Sequence, residues 1–65
     1  MKNKQGKTVC ERLNEDIEHA RSAKTKREKR LLAAKAIGAV DFAIEFNLIT
    51  YAEWEQYIGK LFPLI

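Results

Sequence analysis

The run Leu31–Leu48, LLAAKAIGAVDFAIEFNL, constrains this chain more than any other stretch. Only Lys35, Asp41, Glu45 and Asn47 in it are clearly polar. It is too short and too polar to span a membrane, which takes roughly 20 predominantly apolar residues. It is also too apolar for an ordinary surface helix. At about 100° per residue, Ala33, Ile37, Val40, Ile44 and Leu48 line one face, and Leu32, Ala36, Ala39, Ala43 and Phe46 cover an adjoining sector. Lys35, Asp41 and Glu45 mark a narrow polar side. An apolar arc this wide exceeds what one partner helix covers. Ala33, Ala36, Gly38, Ala39 and Ala43 would let neighbouring helices approach closely. Glycine costs about 1 kcal/mol relative to alanine in a helix interior, and close packing is the expected reason for Gly38.

A chain of 65 residues has little to cover such a helix with. At this size only about 60% of the unfolded surface is buried, and a single core is marginal. Small scaffolds add disulfides, a metal or oligomerisation. Cys10 is the only cysteine, so no intrachain disulfide forms. Cys10 and His19 alone do not fill a tetrahedral zinc site, and no metal or other cofactor is expected. Oligomerisation remains. The expected fold is all-α, a small helical hairpin or three-helix unit completed by self-association, with a homodimer as the first expectation. The lone free thiol fits a cytoplasmic setting. Met1 is followed by KNKQGK rather than an apolar leader, and neither a signal peptide nor a membrane partner is expected.

Residues 1–7, MKNKQGK, read as a disordered basic tail, and residues 8–65 as a single helical domain. Thr8-Val-Cys-Glu11 has the capping-box pattern, and Val9, Leu13, Ile17 and Ala20 then form one apolar stripe. This first helix is expected over about 9–22. The stripe fails in Arg21–Arg30, where six basic residues stand against Glu28 for a net charge of +5. Thr25-Lys-Arg-Glu28 is a second capping box. Either the chain breaks near Ser22–Thr25, or one helix runs from Val9 to Phe46 for about 57 Å. The break is the favoured reading, because the first helix must fold back to be buried. The second helix is then expected over about 26–46. Asn47 tolerates the left-handed conformation of a helix end, Thr50-Tyr-Ala-Glu53 is a third capping box, and the last helix is expected over about 51–62. Trp54, Tyr57, Ile58, Leu61 and Phe62 form its stripe, and Pro63 ends it.

Residues 48–62, LITYAEWEQYIGKLF, resemble the C-terminal part of the short helical hairpins called SHOCT domains. Ile49, Thr50, Glu53, Trp54, Glu55, Lys60 and Leu61 match that spacing. Asn47 stands where the family usually has glycine, and Tyr57 and Ile58 replace charged positions. The resemblance covers about a quarter of the chain. It implies helix-mediated oligomerisation or partner docking, with no chemistry.

No catalytic constellation is legible, and an enzyme is not expected. Glu53 and Glu55 diverge on a helix and do not form an acid–base pair. Cys10 and His19 read as a packed thiol and a helix-surface imidazole. Arg21, Lys24, Lys26, Arg27, Lys29 and Arg30 are the candidate contacts for a nucleic acid or an acidic partner. They lack interleaved aromatics for base stacking. The competing reading is a solvated face that keeps the chain in solution. The aromatic residues exceed what three short helices enclose. The expected interface is therefore Ile37, Val40, Phe42, Ile44, Phe46, Trp54, Tyr57, Ile58, Leu61 and Phe62. The expected function is a small regulatory or adaptor protein acting through helix-mediated contact with itself and a protein partner. The alternative is a small nucleic-acid-binding regulator using residues 21–30.

Overall fold

The computed structural model describes residues 8–65, and the expected tail over residues 1–7 lies outside them. Three α-helices follow in order: α1 Val9–Arg21, α2 Lys26–Glu45 and α3 Tyr51–Leu61, with a 3-10 turn at Phe62–Leu64. There is no strand among the described residues. Each helix starts at a threonine. The Thr8 hydroxyl accepts from the Glu11 N–H at 3.1 Å, and Glu11 Oε1 accepts from the Thr8 N–H at 2.9 Å. Thr50 and Glu53 repeat this at 3.1 and 2.8 Å. At α2 the Thr25 hydroxyl accepts from the Glu28 N–H at 3.1 Å. Each cap stabilises its helix by about 1 kcal/mol.

The chain breaks between α1 and α2 with neither glycine nor proline. The Ser22 hydroxyl donates to the Glu18 carbonyl at 2.7 Å, closing α1, and Thr25 opens α2 three residues later. The break lets α1 fold back, so that Leu13, Ile17 and Ala20 are buried; Val9, the first residue of the expected stripe, is exposed. The second turn is of the Schellman type. Asn47 has φ 60°, the Leu48 N–H donates to the Ala43 carbonyl at 2.8 Å, and the Asn47 N–H donates to the Ile44 carbonyl at 3.0 Å. The left-handed residue satisfies carbonyls that the helix end would otherwise leave open.

α2 packs against both α1 and α3. Its buried residues are Ala33, Ala36, Val40 and Ala43, spaced three, four and three apart. This stripe runs between the two apolar sectors expected from the sequence. Ile37 and Ile44 are half-buried, and Leu48 and Phe46 are exposed. Three alanines in the stripe bring the neighbouring backbones close, and the larger side chains are displaced to its margins. Ile49, Tyr57, Ile58 and Leu61 complete the core. Within the chain no close neighbour accounts for Gly38, since a Cβ placed there would meet nothing within 4 Å. Gly38 lies on the outer side of α2, away from α1 and α3. Phe62 is exposed rather than part of the α3 stripe, because Pro63 turns the backbone into the 3-10 turn, whose Leu64 packs back against the core.

The fold measures 38 × 26 × 14 Å. The side of α2 opposite its core stripe reaches solvent, where Leu31, Ala34, Gly38 and Phe42 are exposed. No helix among the described residues is long and apolar enough to cross a membrane.

Candidate interaction surfaces

The outer face of α2 carries Leu31, Ala34, Gly38 and Phe42 at spacings of three, four and four, with Phe46 one turn further on. Leu31, Phe42 and Phe46 are 59%, 57% and 60% exposed. The Phe42 and Phe46 rings lie against each other with centroids 4.5 Å apart, tilted by 40°. One edge of the stripe borders α3. There Asp41 Oδ1 accepts from Trp54 Nε1 at 2.8 Å, and Tyr51 stacks on Trp54 at 5.5 Å. α2 thus carries large exposed apolar side chains, interspersed with Arg27 and Glu45, on the side opposite its core stripe, and its own chain covers only the core stripe.

The residues expected at an interface divide accordingly. Val40, Tyr57, Ile58 and Leu61 are buried in the chain's own core and offer no surface to a partner. Val40 is grouped with the exposed aromatics because the apolar arc of α2 is nearly continuous, and Tyr57, Ile58 and Leu61 because they share the α3 stripe with Trp54. Ile37, Ile44 and Trp54 are half-buried at the margin of the core. Phe42, Phe46 and Phe62 are exposed. Leu31, Leu48 and Tyr51 are equally exposed and fall outside the expected set. The signal for Leu31 is its position on the same helical side as Gly38 and Phe42.

The basic residues spread over the end of α1, the turn and the start of α2. Arg21 lies 3.6 Å from Glu18, and both are exposed. Lys24 is in the turn. Lys26, Arg27 and Arg30 are exposed and Lys29 is half-buried. Lys26, Lys29 and Arg30 line an open cleft with Pro63, Leu64 and Ile65. Arg27 falls within the Leu31–Phe42 stripe instead, one turn before Leu31. Four of the five α2 cations, Lys26, Arg27, Lys29 and Arg30, stand in the first turns of the helix, where the dipole disfavours positive charge. Glu28 is the one acidic residue in that first turn, and no basic residue occupies the last turn.

A small polar cluster joins α1 to α3. The Cys10 thiol donates to Glu53 Oε2 at 3.7 Å, and the buried Tyr57 hydroxyl is adjacent. The hydrogen bond with Cys10, burial, and the charges of Cys10 and Glu53 push the Tyr57 phenol up to about 12. Tyr57 therefore stays protonated through the physiological range. Cys10 and Glu53 are 43 positions apart, so the contact is legible only once α1 and α3 are known to meet. His19 lies on a shallow groove between α1 and α2 lined also by Asp16, Lys35 and Leu32. Among the described residues, no group of three or more His, Cys, Asp or Glu side chains could hold a metal ion.

No protein-family model, curated protein or solved structure matches the chain.

Proposed function

We propose that the protein is a small non-enzymatic regulatory or adaptor protein, cytoplasmic, that acts through helix-mediated contact with itself and with a protein partner. The observation that carries this reading is the outer face of α2. Three large apolar side chains more than half exposed on one side of one helix form a patch of the kind that marks interaction sites. Aromatic anchors contribute most of the energy at such contacts. The resemblance of residues 48–62 to SHOCT hairpins points to the same kind of role.

The test is capture of partners from the native host with the intact chain and with a Phe42→Ser/Phe46→Ser variant. Specific capture lost in the variant supports the reading. Capture that ignores the substitution, together with an unchanged sedimentation profile, overturns it.

The second reading is nucleic-acid binding by residues 21–30. It is supported by Lys26, Arg27 and Arg30, exposed on α2 at positions its own dipole disfavours. Anionic phosphate would relieve that cost. Labelled duplex DNA and RNA titrated at low and high salt decide it: no binding at low salt removes this reading.

A further inference from the structure

We infer that the occupant of the outer α2 face is a second copy of the chain, packed with its own α2 antiparallel across the Leu31–Phe42 stripe. This rests on the reading of that face as an interaction surface and specifies its partner.

The argument is charge complementarity in one register. α2 runs from a basic start to an acidic end: Lys26, Arg27, Lys29 and Arg30 against Glu28, then Asp41 and Glu45 with no cation beyond Lys35. Each end has mostly the sign its own helix dipole disfavours. α1 and α3 show the reverse pattern, with Glu11 and Glu53 in their first turns and Arg21 and Lys60 in their last. An antiparallel second α2 puts acidic residues beside the basic start and cations beside the acidic end. A parallel one would set like charge against like.

The positions agree in detail. At about 100° per residue, Arg27 and Glu45 fall within the stripe, at its two ends and between the angles of Ala34 and Gly38, while Arg30 and Asp41 lie on one flank of it. A two-fold axis perpendicular to two antiparallel helices brings the same flank of each together. In a register symmetric about the level of Ala36, Arg27 of each copy falls level with Glu45 of the other. Within one residue, or about 1.5 Å of rise, Arg30 meets Asp41, and Leu31 meets Phe42. Ala34 lies opposite Gly38, so the helices cross where their side chains are smallest. All of these residues are exposed in the single chain. Lys35 lies on the other flank, where it lines a groove together with Asp16 of α1.

Sedimentation equilibrium on the full chain at tens of micromolar, with circular dichroism confirming unchanged helicity, tests the pairing. The expected result is a dimer that Phe42→Asp abolishes. Arg27→Glu and Glu45→Arg, each alone, weaken it about tenfold or more, and the two together restore it. Restoration is specific to antiparallel pairing, because in a parallel pair the swap leaves like charges facing. A monomeric wild-type chain overturns the inference; if its partner capture still depends on Phe42 and Phe46, the interaction-surface reading stands. A dimer lost in Phe42→Asp but not restored by the charge swap overturns only the antiparallel register. A dimer indifferent to Phe42→Asp overturns the inference and removes its support for the interaction-surface reading.

Discussion

The inner face of α2 carries Ala33, Ala36, Val40 and Ala43, each at most 2% exposed, and its outer face carries Leu31, Phe42 and Phe46, each more than half exposed. Burial within one chain favours the opposite arrangement, since a larger side chain gains more by leaving water. The inner face follows a different requirement. α1 and α3 both press against it, and small side chains let three backbones converge. The outer face has no such neighbour in the chain. Large apolar groups there stabilise the folded monomer little, and the contact proposed for them lies outside it. Size and burial separate along α2 because only the inner face has helices of its own chain packed against it.

Substitutions on the inner side should reduce stability most. Ile17 of α1 is 2% exposed, and Ile17→Ala should cost about 2–5 kcal/mol. A chain this short has a total stability of about 3–10 kcal/mol, so the variant should unfold at a much lower urea concentration or lack a folded baseline. Ala36→Leu adds volume where the helices converge and should cost about 1–3 kcal/mol. Phe42→Ser on the outer face should shift the urea midpoint of the dilute monomer by no more than about 0.5 kcal/mol. Equal losses at Ala36 and Phe42 would break the distinction between the faces.

The two tyrosines extend the comparison, Tyr57 inside and Tyr51 64% exposed on the rim of the stripe. The Tyr57 phenol is raised from 10.0 to about 12, so the folded state resists its ionisation. Its contribution to stability is fully present below pH 10 and is lost as pH rises toward about 12. In a Tyr51→Phe chain, whose single remaining tyrosine is Tyr57, the phenolate absorbance should appear late and together with loss of helicity. A Cys10→Ala substitution removes the largest cause of the shift and should bring the titration to lower pH.

The helices themselves were legible because their starts are chemical. Thr8, Thr25 and Thr50 each precede a glutamate by three positions, and the observed helices begin where those threonines place them. Their ends fall one residue short of the expected 22, 46 and 62. The left-handed Asn47 was legible for the same local reason. The inward side of α2 was not. With apolar residues around most of its circumference, periodicity could not distinguish the alanine stripe from the Ile37–Ile44 margin. Val40, a core residue, is for that reason grouped with the surface. The Cys10–Glu53–Tyr57 cluster depends on α1 meeting α3, which no local pattern encodes. The charge symmetry of α2 is present in the sequence, but it has meaning only once Arg27, Leu31, Phe42 and Glu45 are seen to share an exposed side.

The smallest expected effect separates the faces most sharply. Gly38 of α2 and Gly59 of α3 are both helical, exposed and open, with nothing within 4 Å of an added Cβ. Alanine should stabilise the monomer at each position by about 1 kcal/mol, because glycine loses more backbone freedom on entering a helix. Urea unfolding at low concentration should show this gain in both variants. Self-association should not respond alike. Gly38 stands where two α2 helices would cross opposite Ala34, and an added methyl group there pushes them apart. Gly59 lies on α3, away from that crossing. Gly38→Ala should therefore give a more stable monomer and a weaker dimer, whereas Gly59→Ala should leave dimerisation unchanged. If both variants gain stability and associate as the parent does, Gly38 is not at a helix crossing and close approach has no part in its presence. If Gly38→Ala gains nothing even when dilute, the outer face is already constrained within the single chain, and the separation of the two faces of α2 does not hold.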